Sequence, residues 1–420
     1  MTNIRVSTLE NGLRVASDPM DTVETVSVGV WIEAGARDED ASVNGASHLI
    51  EHMVFKGTER RDARSIAEEI EAVGGHLNAH TSREYTAYYA KVLKDDAALA
   101  VDILADIVQN ATLDAEELER ERAVVIQEIM QSHDTPDDIV FDRFQETAFP
   151  SQSIGRSVLG TVDLIRSIPR EALVAYVNAH YRASEIVLAA AGRIEHDRLV
   201  DLANDAFGRL KAGGEKTRAP AVYVGGDCRE TRDLEQAHVI LGFEGVAYRD
   251  PDFYALSVLS TLLGGGMSSR LFQEIREKRG LVYSIYSFPS SFVDSGVFGI
   301  YAGTGENEVA ELIPLVCGEL VKATSDITEV EVARAKAQLK SSILMSLEST
   351  SARCEQLARQ LVVFGRPLPL SEVVNKVAEV DVAAVQRVAR RLIQGPVTLT
   401  GLGPLGHMPH YEQVASCLHH

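Results

Sequence analysis

The segment Thr25–Asp40 reads TVSVGVWIEAGARDED, in which valines alternate with small residues before a polar turn. This alternation is typical of a strand with one buried face. A second segment, QAHVILGFEGVAYRDP from Gln236 to Pro251, repeats the pattern about 211 residues later, which is half of the 420-residue chain. Because so long a period cannot be a solenoid repeat, it indicates a duplicated domain.

A second pair of segments supports the duplication. TLDAEELERERAVVIQEIM from Thr112 matches DITEVEVARAKAQLKSSIL from Asp326 with an offset of about 214 residues. Both segments begin with residue types that form capping boxes at helix N-termini: Asp114 with Glu117, and Thr328 with Glu331. We therefore predict an N-terminal domain over residues 1–210, a polar, glycine-containing linker over 211–227, and a homologous C-terminal domain over 228–420.

The predicted elements of the first half mix hairpins with helices. Strands are predicted at Arg5–Ser17, Thr25–Ala34, His76–Thr81, Tyr85–Val92 and from Glu185, and helices at Asp62–Val73, Asp95–Asn110, Ala115–Gln131 and Arg170–His180. This order favours an α+β fold with two duplicated domains, each a largely antiparallel sheet with helices packed on one face.

The composition excludes several classes of protein. With 61 acidic and 41 basic residues, the formal net charge is −20, which disfavours nucleic acid and anionic membrane surfaces as partners. The first residues contain no apolar leader segment, and no apolar run approaches the roughly 18 residues of a membrane span, so we expect a cytoplasmic protein. The four cysteines are scattered without a CxxC pair, and we expect reduced thiols.

A metal-binding pattern follows the strand predicted at Thr25–Ala34. In GASHLIEHMVFKG from Gly45, His48 and His52 are four residues apart, which places both imidazoles on one face of a helix, with Glu51 beside them. Two neutral histidines suit Zn²⁺, and a neighbouring carboxylate can take a proton from water. The HxxEH order is the signature of the inverzincins. The alternative is a helix that carries ordinary polar residues.

A catalytic zinc site usually has three protein ligands, so another element has to supply one. The helix predicted at Ala115–Gln131 offers Glu121 and Glu128, two turns apart on one face. Glu128 lies in an apolar stretch, where an unpaired carboxylate is costly to bury, whereas Glu121 lies in a charge-rich helix start that is typical of a solvent-exposed face. With the offset of 214, the second half has Ala335 and Ser342 at these positions, so the helix itself does not require the carboxylates.

Together these features resemble the pitrilysin/insulinase family, specifically its mitochondrial processing peptidase-like branch. The resemblance covers nearly the whole chain and includes HMVFKGT after the motif, GGHLNAHTSREYTAYYAKV from Gly74, ERAVVIQEI from Glu121 and SSRLFQEIREKRGLVYSIYS from Ser268. It implies that His48, His52 and Glu128 bind one Zn²⁺ per chain, that Glu51 is the general base, and that Glu121 orients the site. It also implies a zinc endopeptidase whose two-domain units pair into a clam-shell around a chamber.

The segment GGHLNAHTS predicts a short strand near the zinc helix. An unpaired strand edge can bind an extended peptide through main-chain hydrogen bonds. The resemblance assigns this role to Leu77, Asn78 and Ala79, and the alternative is an ordinary sheet edge. His76 and His80 alternate to one side of the strand and are interpreted as ordinary polar positions.

Arg276 and Tyr283 in the second half form a further candidate pair, seven residues apart with Gly280 ending a helix between them. An arginine and a phenol can stabilise a developing oxyanion, although such a pair is more often a surface arginine and a core tyrosine. The resemblance implies that both contact the substrate.

The motif and the family resemblance together predict that the protein is a zinc endopeptidase that acts on extended peptides or unfolded segments. The alternative is a non-catalytic scaffold or partner subunit. A purely structural metal is disfavoured because three ligands leave an open coordination position. We expect peptide substrates as partners. The resemblance, with its clam-shell of two paired units, further implies a homodimer in which the zinc centre comes from one chain and Arg276 with Tyr283 from the other. A related partner subunit is the alternative to the homodimer.

Overall fold

Two β-sheets and their helices make up the fold, which the computed structural model describes over residues 3–214 and 217–418. The strands are β1 Arg5–Thr8, β2 Arg14–Pro19, β3 Thr25–Ile32, β4 His76–Thr81, β5 Thr86–Leu93, β6 Ile186–Gly192, β7 Gly226–Thr231, β8 Ala237–Glu244, β9 Val282–Ser291, β10 Gly296–Thr304 and β11 Val397–Gly403. The helices are α1 Ala46–Met53, α2 Ala63–Ala72, α3 Ala97–Asn110, α4 Ala115–His133, α5 Pro136–Ala148, α6 Val162–Ser167, α7 Arg170–His180, α8 His196–Phe207, α9 Phe253–Gly264, α10 Val309–Ala323, α11 Glu329–Ser346, α12 Thr350–Phe364, α13 Leu370–Glu379, α14 Val382–Gln394 and α15 Tyr411–Cys417. Glu215 and Lys216 of the predicted linker lie outside the described residues.

The two sheets share one topology. The first has the order β1-β2-β6-β3-β5-β4, and the second has the order β7-β11-β8-β10-β9. In both sheets one pair is parallel, β2 with β6 and β7 with β11, and the other neighbours are antiparallel. The second sheet thus repeats β2-β6-β3-β5-β4 of the first, which confirms the predicted duplication and the α+β fold class.

Capping confirms the second predicted helix start and modifies the first. Thr328 and Glu331 form the reciprocal box: the Glu331 carboxylate accepts from the Thr328 N–H at 2.9 Å, and the Thr328 hydroxyl accepts from the Glu331 N–H at 3.3 Å. Asp114 accepts from the N–H groups of Glu116 and Glu117 at 2.8 and 3.1 Å. The Glu117 carboxylate pairs with Arg120 instead of returning to the cap.

Alternation along β3 divides the first core into two faces. Val26, Val28 and Val30 are buried in the large cluster with helices such as α3. Trp31 on the opposite face packs into a smaller cluster with residues of β6 and α12, among them Leu357. Gly29 is required on that face, because a Cβ there would lie 2.7 Å from the Trp31 ring.

Each sheet therefore carries helices on both faces, whereas the sequence predicted helices on one face only. On the second sheet α5 packs against β7, β8 and β11, and Phe144 of α5 lies so close to Gly242 of β8 that a Cβ there would be 2.1 Å from the ring. No element is predicted from the sequence between Gln131 and Arg170, yet α5 forms there as a helix with Pro136 at its N-terminus.

The compact units differ from the predicted contiguous domains. The first unit comprises the chain up to Met130, Arg156–Ala219 and Met345–Pro369, and the second comprises Gln131–Gly155, Pro220–Leu344 and the chain from Leu370 onward. Helices α5 and α12 begin 214 residues apart, so they occupy matching places in the repeat. Each covers the sheet built by the other half of the sequence, which a pattern of apolar residues alone does not indicate.

Two further expectations concern membranes and thiols. Of the helices in the described part of the chain, none combines the length and the apolar character that crossing a bilayer requires. Cys228, Cys317, Cys354 and Cys417, all within the described residues, are free.

Candidate active site

The first turn of α1, which carries the HxxEH motif, is held by a buried carboxylate from outside the helix. The N-cap residue Gly45 has a φ of +98° and no side chain with which to cap. Glu39 takes over this role: it accepts from the N–H groups of Gly45 and Ser47 at 2.8 and 2.7 Å, and from the side chains of Ser47 and Asn44. Glycine is required at position 45, because a Cβ would lie 2.8 Å from the Leu159 carbonyl oxygen.

The structure brings the three predicted ligands together. One ligand atom each from His48, His52 and Glu128 can be chosen so that all lie within 4.8 Å of one another. The Oε2 atom of Glu128 is 3.5 Å from Nε2 of His48 and 3.5 Å from Nε2 of His52. Both imidazoles therefore direct the same ring nitrogen toward one carboxylate oxygen, and a single ion between them would have two nitrogen ligands and one oxygen ligand.

The two histidines have different surroundings. Burial and the neighbouring His52 lower the pKa of His48 to about 4, which keeps its imidazole neutral at pH 7, as a metal ligand must be. Nδ1 of His48 is buried and has no hydrogen-bond partner within the described residues. Nδ1 of His52, in contrast, donates to Oε2 of Glu121 at 3.1 Å.

Glu121 and Glu128 are exposed in the reverse order of the expectation. The Glu121 side chain is only 6% exposed, although its sequence context is typical of a solvent-exposed face, whereas the Glu128 side chain is 39% exposed. Glu121 lies on the buried face of α4 between Leu118 and Val125. Its second oxygen, Oε1, pairs with Nζ of Lys56 at 2.6 Å. Because the segment is rich in charged residues, its sequence does not indicate which face of α4 is buried.

Glu51 lies beside the cluster and is tied to the edge of the sheet. The Thr81 hydroxyl at the end of β4 donates to Oε2 of Glu51 at 2.6 Å. Burial raises the pKa of the Glu51 carboxyl; Thr81 and His52 oppose this rise, and Glu128 adds to it. A carboxyl group whose pKa is raised is better matched to accepting and returning a proton near neutral pH.

The predicted substrate strand is an edge strand. Within the described residues, β4 pairs only with β5, in a register that joins Asn78 to Tyr89. The N–H of Ala79 bonds the Asn78 side chain at 2.8 Å, so Ala79, and with it Leu77, belongs to the set whose main chain faces away from β5. His80 packs against aromatic rings of β5 and its turn, and neither His80 nor His76 joins the cluster of candidate ligands.

Arg276 and Tyr283 lie close together in the second unit. The Arg276 guanidinium is 5.2 Å from the centre of the Tyr283 ring and 4.8 Å from that of Phe272, in a π-helical turn over Phe272–Glu277. Gly280, with a φ of +65°, follows the turn as predicted. Tyr283 is 78% exposed, so it is not the core tyrosine of the alternative interpretation.

Three residues that support the site were missed by sequence reasoning. They are Glu39, Lys56 and Thr81, which hold the helix start, Glu121 and Glu51 respectively. Lys56 carries a signal in its spacing, since it is four residues after His52. Glu39 and Thr81 act through tertiary contacts that no local pattern marks.

Comparison with known families matches the chain in two segments. Residues 14–162 match the model described as Insulinase (Peptidase family M16), and residues 167–339 match the model described as Peptidase M16 inactive domain. The second match includes Ala335, one of the two positions at which the second half lacks the candidate carboxylates.

Relatives and solved structures agree with these matches. An uncharacterized zinc protease of Streptomyces coelicolor is 39% identical over 412 residues, covering 96% of this chain and 90% of that protein. Mitochondrial-processing peptidase subunit beta of Mus musculus is 39% identical over 426 residues, covering 98% and 87%. The crystal structure of a protease from Helicobacter pylori superposes with a TM-score of 0.89 at 25% identity, covering 96% of this chain and all of that chain (100%). A chain of complex III2 from Candida albicans, at 23% identity and a TM-score of 0.87, covers 99% of each chain and shows the shared fold alone.

Proposed function

Because the chain belongs to the insulinase (pitrilysin) family of peptidases, in the branch of the mitochondrial processing peptidases, we propose that it is a zinc-dependent endopeptidase that hydrolyses extended peptides or unfolded segments. The observation that carries the proposal is the convergence of His48, His52 and Glu128, with ligand atoms within 4.8 Å of one another and Glu51 beside them. Relatives named zinc proteases support zinc as the metal.

The donor set fits one zinc ion per chain. Two imidazole nitrogens and one carboxylate oxygen are a ligand set of catalytic zinc, and they leave a position open. His48 is neutral at pH 7, so no proton has to leave it before it binds. Bound zinc supplies a Lewis acid that polarises the scissile carbonyl and makes water more acidic.

Glu51 carries the proton transfers. Its carboxylate accepts a proton from the attacking water and returns it to the leaving nitrogen of the cleaved peptide bond. The bond from Thr81 engages Oε2 of Glu51 and leaves Oε1 for this exchange. The raised pKa of Glu51 favours the protonated form that the second step requires.

The substrate is proposed to dock on β4 as an added antiparallel strand. The outward main-chain groups of Leu77 and Ala79 would pair with the peptide, and Asn78 would release the Ala79 N–H that it now occupies. Since Thr81 at the end of this strand bonds Glu51, a peptide aligned along β4 is also aligned toward the general base. Recognition through main-chain hydrogen bonds requires that the peptide be extended, but it places little restriction on the peptide's amino-acid sequence.

Arg276 and Tyr283 are proposed to stabilise the oxyanion, and a homodimer is proposed as the active form, with the zinc centre from one chain and this pair from the other. Tyr283 has an exposed phenol available for such a contact. Mixing tests the arrangement: Glu51→Gln and Tyr283→Phe homodimers are each impaired, but their mixed dimer has one site with both groups intact. It regains up to about half of wild-type activity. No recovery on subunit exchange, or a fully active monomer, would overturn the homodimer.

Metal content and peptide cleavage test the function. The wild-type protein is expected to bind about one zinc ion per chain and to cut unfolded casein fragments, whereas Glu51→Gln keeps the zinc and loses turnover. Glu68→Gln, at an exposed glutamate of α2, is the matched control and keeps both. Zinc without cleavage in the wild type would favour the alternative, a non-catalytic partner subunit. Cytoplasmic location remains a prediction, which cell fractionation tests.

A further inference from the structure

We propose that Lys56 is a positioning residue of the metal site: it fixes the Glu121 carboxylate, which in turn holds His52 in the tautomer and orientation that bind the metal. This inference rests on the metal site proposed above and assigns a role to a residue outside the HxxEH motif.

The contacts form one chain of groups. Nζ of Lys56 is 2.6 Å from Oε1 of Glu121, and Oε2 of the same carboxylate accepts from Nδ1 of His52 at 3.1 Å. Each oxygen of Glu121 thus has its own donor, and the carboxylate plane is fixed at both ends. Because the Glu121 side chain is 6% exposed, water cannot replace a lost donor at little cost.

Both donors come from one stretch of chain. His52 lies in the last turn of α1, and Lys56 ends the short 3₁₀-helix Val54–Lys56 that continues it. Their spacing of four residues places them together opposite α4, so Glu121 is held by the same element that carries the metal ligands. Any shift of Glu121 therefore acts directly on the His52 ring.

The consequence is a defined tautomer of His52. A carboxylate can only accept at Nδ1, so in the neutral form of the ring that binds a metal the proton is on Nδ1, and Nε2, 3.5 Å from Glu128, carries the lone pair. His48 has no such support, since its Nδ1 lacks a partner among the described residues. The orientation of the imidazole pair depends on the His52 side, and hence on Lys56.

Charge and position predict opposite effects when Lys56 is replaced. Removing a cation near a dication strengthens metal binding if only charge matters. If Lys56 acts by holding Glu121, its removal weakens metal binding, because the carboxylate loses its fixed orientation.

The experiment measures the zinc dissociation constant by competition with a chelating dye for Lys56→Met, Lys56→Arg and the control Lys94→Met. Lys94 pairs with Glu24 at the same distance of 2.6 Å, but this carboxylate is 63% exposed.

Lys56→Met is expected to weaken zinc binding about tenfold, at the lower end of the effects of groups that support metal ligands. The zinc dissociation constant of Lys56→Arg is expected to lie within about threefold of the wild-type value, and that of Lys94→Met is expected to equal the wild-type value. In a Glu121→Ala background, Lys56→Met adds no further loss, because both act through one carboxylate. In the zinc-free protein, ¹⁵N-resolved NMR at a pH at which the His52 ring is neutral shows the Nδ1–H tautomer in the wild type and a mixture of tautomers in Lys56→Met.

Four results would overturn the inference: zinc binding that is unchanged or tighter in Lys56→Met, failure of Lys56→Arg to rescue, a further tenfold loss in the Glu121→Ala background, or an unchanged His52 tautomer. These differ from failure of the proposed function, in which the wild-type protein itself binds no stoichiometric zinc.

Discussion

Replacing Glu39 by alanine removes the cap of α1, the helix that carries the HxxEH motif, and the structure sets the size of the effect. Oε2 of Glu39 accepts from the Gly45 N–H and the Asn44 amide at 2.8 and 2.9 Å, and Oε1 accepts from the Ser47 N–H at 2.7 Å and from the Ser47 hydroxyl. Glu39, Gly45 and Ser47 are buried, so water does not readily replace these bonds.

Two buried backbone N–H groups left unpaired cost about 1 to 3 kcal/mol each. Burial also raises the pKa of the Glu39 carboxyl, which means that the native carboxylate carries a desolvation cost that alanine would relieve. We therefore expect Glu39→Ala to lower the free energy of unfolding of the first unit by about 2 to 4 kcal/mol. Glu39→Gln keeps one accepting oxygen and is expected to lose about 1 to 2 kcal/mol.

Trp31 is the only tryptophan of the chain and is buried in the first unit, so its fluorescence during urea unfolding reports this unit. The measurement is made with the metal chelated, because zinc linkage would otherwise add to the difference. Asp40→Ala, at the exposed neighbouring residue, is the control and should stay within about 0.5 kcal/mol of the wild type. Wild-type stability of Glu39→Ala would refute the reasoning that this carboxylate caps the helix.

Three further predictions concern the ligands, the edge strand and a charge pair. Glu128→Gln should abolish stoichiometric zinc in metal analysis, whereas Glu121→Gln should weaken zinc binding about 10- to 100-fold; equal losses would contradict their different roles. Ala79→Pro removes an outward N–H that the strand itself does not need, so it should raise KM for peptides about three- to tenfold with zinc content unchanged, while Ala79→Ser keeps wild-type KM. Burial opposes ionisation of Glu331, but bonds from Arg270 and Thr328 outweigh it and lower the pKa from its ordinary value of 4.5 to about 2. The ionised Glu331 carboxylate stabilises the fold by about 1 to 2 kcal/mol above pH 4.5, and this contribution is lost as the pH falls toward 2. The free energy of unfolding in urea should therefore vary less with pH between these values in Glu331→Gln than in the wild type. An unchanged pH dependence would contradict the proposed role of the Glu331–Arg270 pair.

Local patterns predicted many elements well. The bounds of β4 and α7 agree with the predictions to the residue, because glycines precede β4 and a proline precedes α7. The predicted strand Arg5–Ser17 is instead the hairpin β1–β2. Its turn contains Asn11 and Gly12, a turn-forming pair, and Gly12 has a φ of +92°.

Tertiary choices were beyond the sequence patterns. Helices α5 and α12 each pack on the sheet formed by the other half of the sequence. This exchange could not be predicted, because both sheets have the same topology and an apolar face, and neither helix sequence indicates which sheet it covers. The spacing of His48 and His52 predicted two candidate ligands, and the family resemblance implied Glu128 as the third. The burial of Glu121 and its pairing with Lys56, however, depend on the rotation of α4 against α1. A charge-rich segment does not reveal that rotation.

The most direct test of the metal site is anomalous diffraction at the zinc edge from crystals of zinc-loaded Glu51→Gln protein, in which turnover is blocked. We predict one strong peak per chain within bonding distance of Nε2 of His48, Nε2 of His52 and a carboxylate oxygen of Glu128. A peak at other residues, or no peak in protein that contains zinc, would contradict it.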